Sequence, residues 1–270
     1  MRANLWNRLT DLVYPPQCIA CPNETDLPDG LCPACWREVQ FITGPVCRFC
    51  AHPVAAEGLA CSDCHRTPPP WDGGHAATIY DGIARRIVLS LKHGDRTDLS
   101  GIAARWLARA AGPSLDTVDV IAPIPLHWTR LVRRRYNQSA ELARALSTLS
   151  GRAVVPDLLS RSRATRSLKG LSREQRQQVL SDCIVATPAR RDRIAGRHVL
   201  LVDDVLTSGA TLSAATLALR AAGAQRVTIL VLARVVRSEI PWQPRPIETS
   251  TDRADHPAVT DVAPQQASSI

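Results

Sequence analysis

From about residue 76 the chain alternates between two kinds of apolar pattern. The run "HAATIYDG" predicts a short strand. "IARRIVLSLKHG" and "LSGIAARWLARAAG" repeat their apolar residues at helical spacing, and Gly112 supplies a stop for the second. "VDVIAPIPL" (118–126) predicts a buried strand interrupted at its end by prolines, and "SAELARALSTLSG" (139–151) a helix with Ser139 placed to cap it. "HVLLVDDV" (198–205) predicts a central strand, "TLSAATLALRAAG" (211–223) a helix closed by Gly223, and "RVTILVLARV" (226–235) a further strand. Strands that are apolar throughout, alternating with helices, predict an α/β fold with a parallel, doubly wound sheet.

The flanks read differently. "MRANLWNRLTDLVYPPQC" has only short apolar runs; Leu5, Leu9 and Leu12 share one face of an amphipathic helix that Pro15 and Pro16 end. That pattern is no signal peptide, and no stretch approaches the roughly 18 apolar residues of a membrane span. The expectation is a cytoplasmic protein with no membrane partner. "TPPPWDGGH" (67–75) reads as a linker or boundary. The basic stretch 161–178 has no apolar periodicity and reads as a long mobile loop. The expected organisation is therefore a helix over 1–14, a cysteine-rich module over 15–66, an α/β domain over 76–237 and a disordered tail over 238–270.

Eight of the nine cysteines lie within the first 64 residues, as four C-x2-C pairs: Cys18 and Cys21, Cys32 and Cys35, Cys47 and Cys50, Cys61 and Cys64. The first two pairs repeat 29 positions later, so the unit is duplicated. Each pair can aim two thiolates at one metal, and two pairs complete a closed, four-thiolate structural zinc site. A disulfide framework would call for an export signal, which the amino-terminal pattern lacks. One or two zinc ions are expected, with adjacent or interleaved pairing both open; His52 and His65 are near enough in sequence to substitute. So few apolar residues separate the pairs that the module is expected to need metal to fold. Cys183 stands alone and reads as a small buried residue in a strand.

Net charge is +8 and the pI about 9.3. Such a balance fits an arginine-rich soluble surface or a phosphate-bearing partner, and charge alone does not separate them. The segment "VLLVDDVLTSGATL" from position 199 is more specific. In an open parallel sheet, ligands sit beyond the carboxyl ends of strands. There the amides of the turn Thr207, Ser208, Gly209, Ala210 and Thr211, the hydroxyls and the following helix end would cradle a phosphate. Asp203 and Asp204 would accept hydrogen bonds from vicinal ribose hydroxyls. A P-loop would need a Gly-Lys-Ser/Thr run, and no lysine occurs here.

This segment is similar to the phosphoribosyl-pyrophosphate (PRPP) signature of type I phosphoribosyltransferases. Over about residues 15–236, with "IVLSLKHGD", "VDVIAPIPLHWTRLVRRRYNQSAELA" and the double cysteine array, the chain resembles the ComF family of competence-associated, amidophosphoribosyltransferase-like proteins. The resemblance implies a type I phosphoribosyltransferase-like parallel sheet flanked by helices, with a small amino-terminal zinc-ribbon module. It places Asp203 and Asp204 on the ribose and Thr207–Thr211 on the 5-phosphate. Arg133, Arg134, Arg135 and Lys92 become candidates for the pyrophosphate, Lys92 alternatively only snorkelling. Tyr136, Asn137 and Gln138 match an element with no assigned role. The chain departs from the family pattern at Arg135, Leu168 and Val179. The implied activity is transfer of a 5-phosphoribosyl group from PRPP, with Mg2+, to an acceptor the sequence does not name, during DNA uptake. Implied partners are single-stranded DNA and an ATP-dependent helicase. The rival reading is a non-catalytic PRPP sensor or DNA-handling adaptor.

Overall fold

The computed structural model describes residues 15–25, 29–93, 96, 98–127, 131, 136–161 and 183–236. The expected helix over 1–14, Arg133–Arg135, residues 162–178 of the basic stretch, Leu168, Val179 and the tail over 238–270 lie outside the described residues.

Five parallel strands form one sheet in the order β1-β7-β6-β2-β3: β1 (Gly73–Ile79), β7 (Arg226–Arg234), β6 (His198–Leu206), β2 (Val120–Pro123) and β3 (Ala153–Val154). β4 (Leu159–Arg161) and β5 (Ile184–Ala186) form a separate antiparallel pair. Alternate residues of the central strands serve two different cores, because successive side chains leave opposite faces of a sheet. On one face Leu200, Val202, Leu230 and Leu232 meet α3 (Gly82–His93), α4 (Leu99–Ala111) and α5 (Gln138–Ser150). On the other, Val199, Leu201, Ile229 and Val231 meet α6 (Ala210–Ala221). Helical periodicity supplies the matching stripes: Ile83, Ile87 and Leu91 on α3, Leu99, Ile102, Trp106 and Leu107 on α4, Leu212, Ala215 and Leu219 on α6.

The sheet topology sets the position of a site. From β2 the chain passes through α5 to β3 on one side, whereas from β6 it passes through α6 to β7 on the other. The loops after β2 and β6 therefore diverge, and a crevice opens between the carboxyl ends of these two strands.

The cysteine-rich region does not hang from this body on a linker. The two ribbons repeat each other in structure as in sequence. The bridge Gln17–Glu24 recurs as Val46–Pro53, and helix α1 (Pro33–Glu38) recurs as α2 (Ser62–Arg66). Yet the copies pack on opposite faces of the sheet. Cys18, Cys32 and Cys35 share the core of α3, α4 and α5, while Cys47, Cys50, Cys61 and Cys64 share that of α6. Between them the chain runs along the free edge of β1, with Ile42 N donating to Ala77 O (3.0 Å), Ile79 N to Gln40 O (2.9 Å) and Gly74 N to Arg48 O (2.9 Å). An edge that would otherwise present unpaired backbone groups is thereby covered.

The stretch 67–75, expected as a boundary, is built into this contact: Gly73–His75 open β1, and Trp71 is only 5% exposed. Three smaller expectations also change. The helix cap is Asn137, whose side chain accepts from Ser139 N, so Ser139 lies inside α5. The buried strand over 118–126 is regular only over Val120–Pro123. Cys183 is buried in the turn just before β5 rather than in the strand. Among the described residues no helix is long and apolar enough to cross a membrane.

Gly74 marks a tight ribbon–sheet contact, since a Cβ there would lie 2.2 Å from the backbone oxygen of Phe49 and 2.9 Å from Ile229 Cγ1. Gly74→Ala should therefore destabilise the protein by about 1–3 kcal/mol, as overpacking generally does. Thermal unfolding checks this, and an unchanged midpoint would mean that the Phe49 carbonyl can yield.

Candidate functional site

β6 carries Asp203 and Asp204 to the crevice between β2 and β6, where the amino terminus of α5 comes from the other side. Asp204 is buried, 5% exposed, and both its oxygens are engaged. Gln138 Nε2 donates to Oδ2 at 2.9 Å, and Lys92 Nζ lies 3.2 Å from Oδ1. Asp203 is half-buried; its Oδ1 accepts from Ser139 Oγ at 2.8 Å and from the Asp204 amide at 2.9 Å. Its Oδ2 takes no hydrogen bond among the described residues. The two acids are thus unequal: one is locked into the protein, the other keeps an oxygen available.

The supporting residues are themselves fixed. Asn137 Nδ2 donates to Ile124 O at 2.9 Å, tying the start of α5 to the loop after β2. Tyr136 Oη donates to Leu91 O, which places α3 so that the next residue, Lys92, reaches Asp204. The Tyr136-Asn137-Gln138 element thereby gains its role, together with Ser139: it holds the carboxylate pair. Lys92 neither snorkels nor stands free; its ammonium offsets the charge of Asp204. Burial, and next the charge of Asp204, push Asp203 up to about 7, against the pull of Ser139 and the neighbouring amide.

The turn that follows is open to a ligand. Thr207 is exposed, Ser208 and Thr211 are half-buried, and Gly209 and Ala210 are buried. Gly209 has φ +77°, the left-handed region that favours glycine, and it is the amino-terminal cap residue of α6 without a side-chain hydrogen bond of its own. The first turn of α6 therefore offers amides and the positive end of a helix to an anion. Thr207–Thr211 and the acid pair are brought to one end of β6, as expected. Arg133–Arg135 are outside the described residues.

The cysteines resolve into two sets by adjacent pairing: Cys18, Cys21, Cys32 and Cys35, and Cys47, Cys50, Cys61 and Cys64, with all sulfurs of a set within 4.8 Å of one another. Neither His52 nor His65 belongs to a set. Cys21 Sγ and Cys32 Sγ are 3.6 Å apart, and so are their repeats Cys50 and Cys61. Those separations exceed the roughly 2.05 Å of a disulfide and suit a tetrahedron with metal–sulfur bonds of about 2.3 Å. Backbone amides prepare one thiolate in each set. Burial opposes ionisation of Cys18, but the amides of Cys32 (3.2 Å) and Ala20 (3.5 Å) outweigh it and lower the thiol to about 6. In the same way the amides of Cys61 and Phe49 outweigh burial at Cys47 and bring it to about 7. Both sets fit structural zinc, with no position left for a reacting water.

Comparison with known proteins finds two family domains on the chain. Residues 9–65 match the double zinc ribbon domain and residues 120–266 the phosphoribosyl transferase domain. The chain belongs to the phosphoribosyltransferase-domain proteins, in the ComF family, and itself carries an amino-terminal double zinc ribbon. It is similar to the DNA utilization protein YhgH of Salmonella typhimurium, at 30% identity over 213 residues, 77% of this chain and 91% of the relative. It is also similar to Competence protein F of Haemophilus influenzae, at 27% identity over 224 residues, 81% of this chain and 96% of the relative. A solved structure described as the allosteric regulatory enzyme of purine biosynthesis covers 53% of this chain and 30% of its own, with 20% identity and a TM-score of 0.36.

Two outcomes are expected. Elemental analysis should find two zinc ions per chain, one for each cysteine set. Because those cysteines share both cores with the sheet, chelation should lower the unfolding temperature of the α/β body along with that of the ribbons. A body that melts unchanged after zinc removal would contradict the shared packing. The second outcome concerns pH. With Asp203 at about 7 when folded and about 3.9 when unfolded, the folded state retains a proton that the unfolded chain has lost between those values. Stability of the ligand-free protein should therefore fall as pH rises from about 4 to about 7. Asp203→Asn should flatten that limb and exceed wild type in urea denaturation at about pH 8. A variant with the wild-type slope would show that Asp203 titrates normally.

Proposed function

We propose that the protein binds PRPP at the end of β6 and transfers its 5-phosphoribosyl group to a nitrogen nucleophile, in the handling of DNA taken up by the cell. The observation that carries the reading is the pairing, on one strand end, of a carboxylate with an oxygen available among the described residues and a turn whose helix start has no side-chain cap. Asp203 accepts from a ribose hydroxyl, and Asp204, held by Gln138 and Lys92, keeps the pair in place. The turn Thr207–Thr211 takes the 5-phosphate with its amides and hydroxyls. An acid pair beside the turn suits a sugar phosphate better than a bare anion, which would need no acid.

In the transfer, the bond from the anomeric carbon to the pyrophosphate oxygen breaks and its electron pair leaves with pyrophosphate. A bond from the acceptor nitrogen forms at that carbon, and the nitrogen loses a proton to solvent. Mg2+ bound with the pyrophosphate would supply charge neutralisation at the leaving group, while Asp203 and Asp204 hold the ribose beside it. Positive charge developing on the sugar meets the field of the acid pair. The names of the two relatives, a competence protein and a DNA utilization protein, support placing the chemistry in DNA uptake or use.

The test combines binding and turnover. Wild-type protein should bind PRPP in the presence of Mg2+, and Asp203→Asn combined with Asp204→Asn should abolish that binding. Incubation with PRPP, Mg2+ and a panel of amines and nucleobases should release pyrophosphate. Normal PRPP binding by the double variant would remove the site. Binding without pyrophosphate from any acceptor would leave a PRPP-binding protein and remove the transferase.

A further inference from the structure

Trp71 joins the second ribbon to the turn assigned to the phosphate. Its indole Nε1 donates to the carbonyl of Phe49 at 2.6 Å, and Phe49 lies inside the Cys47–Cys50 knuckle. At the other end of the same ring, a Cβ on Gly209 would stand 2.9 Å from Cη2. The side chain is buried in the core that also holds Cys47, Cys50, Cys61, Cys64, Leu206, Ala210 and Leu212. The carbonyl that anchors it also lies close to β1, where a Cβ on Gly74 would stand 2.2 Å from it.

We infer that Trp71 is a positioning residue that couples zinc in the second ribbon to phosphate at the Thr207–Thr211 turn. The Phe49 carbonyl stays in place only while the knuckle keeps its shape, and in ribbons of this kind metal binding is what holds that shape. With the knuckle closed, the ring braces Gly209 in its left-handed conformation and the turn's amides face the ligand. With the knuckle open, the brace is lost and the turn must be ordered at the expense of ligand affinity. Linkage makes the effect reciprocal: a ligand that favours the braced turn tightens zinc by the same factor. The inference rests on the reading of this turn as the phosphate site.

The experiment uses the full-length, zinc-loaded chain and ribose 5-phosphate as the probe. Calorimetry gives the affinity for the probe. Competition with a chelator at equilibrium, read by elemental analysis of retained zinc, gives the metal affinity with and without saturating probe. For wild type, the chelator concentration that removes the more sensitive zinc should rise about fivefold or more with the probe present. In Trp71→Ala the shift should fall below about twofold, with probe affinity reduced by the matching factor. Trp71→Phe, which keeps a ring beside Gly209 but cannot donate to Phe49, should lie between, and it decides the matter if Trp71→Ala does not retain zinc. Failure of wild type to bind ribose 5-phosphate would overturn the phosphate reading of the turn and this inference with it. Binding of the probe with no change in zinc retention, or a full shift surviving in Trp71→Ala or Trp71→Phe, would overturn the coupling alone.

Discussion

Two carboxylates on consecutive residues at the end of a central strand repel each other. Burial and that repulsion together push Asp203 up to about 7. A single ammonium at contact distance compensates one acid and not both. Lys92 is placed on Asp204, the more buried of the two. Asp203 is left with a hydroxyl, one amide and an open side. This unequal division determines what else must be present. A helix, α3, has to bring a lysine to the right height, a tyrosine has to fix that helix, and a second helix has to begin with Gln and Ser facing the strand end.

The same constraint bears on stability. A buried pair broken by removal of one partner costs several kcal/mol, because a charge is left without compensation. The region is therefore rigid on the Asp204 side and under electrostatic stress on the Asp203 side. Stress of that kind is a common mark of functional sites, where a ligand completes what the protein leaves incomplete. The ribbons contribute differently. They are too small to bury much by themselves, and their cysteines complete cores whose larger share belongs to the sheet and its helices.

Much of this was legible in the chain. The strand–helix alternation and the Asp-Asp-turn-helix segment are local patterns, so reading them needs no knowledge of what lies opposite. The duplicated cysteine spacing shows the metal chemistry for the same reason. What could not be read depends on register between distant elements. Adjacent and interleaved pairing of the cysteines use the same spacings and differ only in three dimensions. Gln138 and Ser139 stand 66 and 64 positions from their acids, and nothing in a helix start announces which strand end it will face. Trp71 was hidden by its neighbours: three prolines before it and two glycines after it look like punctuation. A tryptophan is nevertheless costly to leave in water, and its presence in such a stretch was the available signal that the stretch is buried.

The pairing of β1 with β7 carries a consequence for how the protein is made. Thr78 Oγ1 donates to Leu232 O across 154 positions of chain, and the backbone register of β1 is set by the same strand. During synthesis both ribbons emerge long before their supporting strand has been translated. For that interval their apolar undersides face water, and captured metal alone can keep them in shape. Zinc loading before sheet closure would thus preserve the ribbons until β7, arriving last and pairing with β6 on one side, takes up β1 on the other.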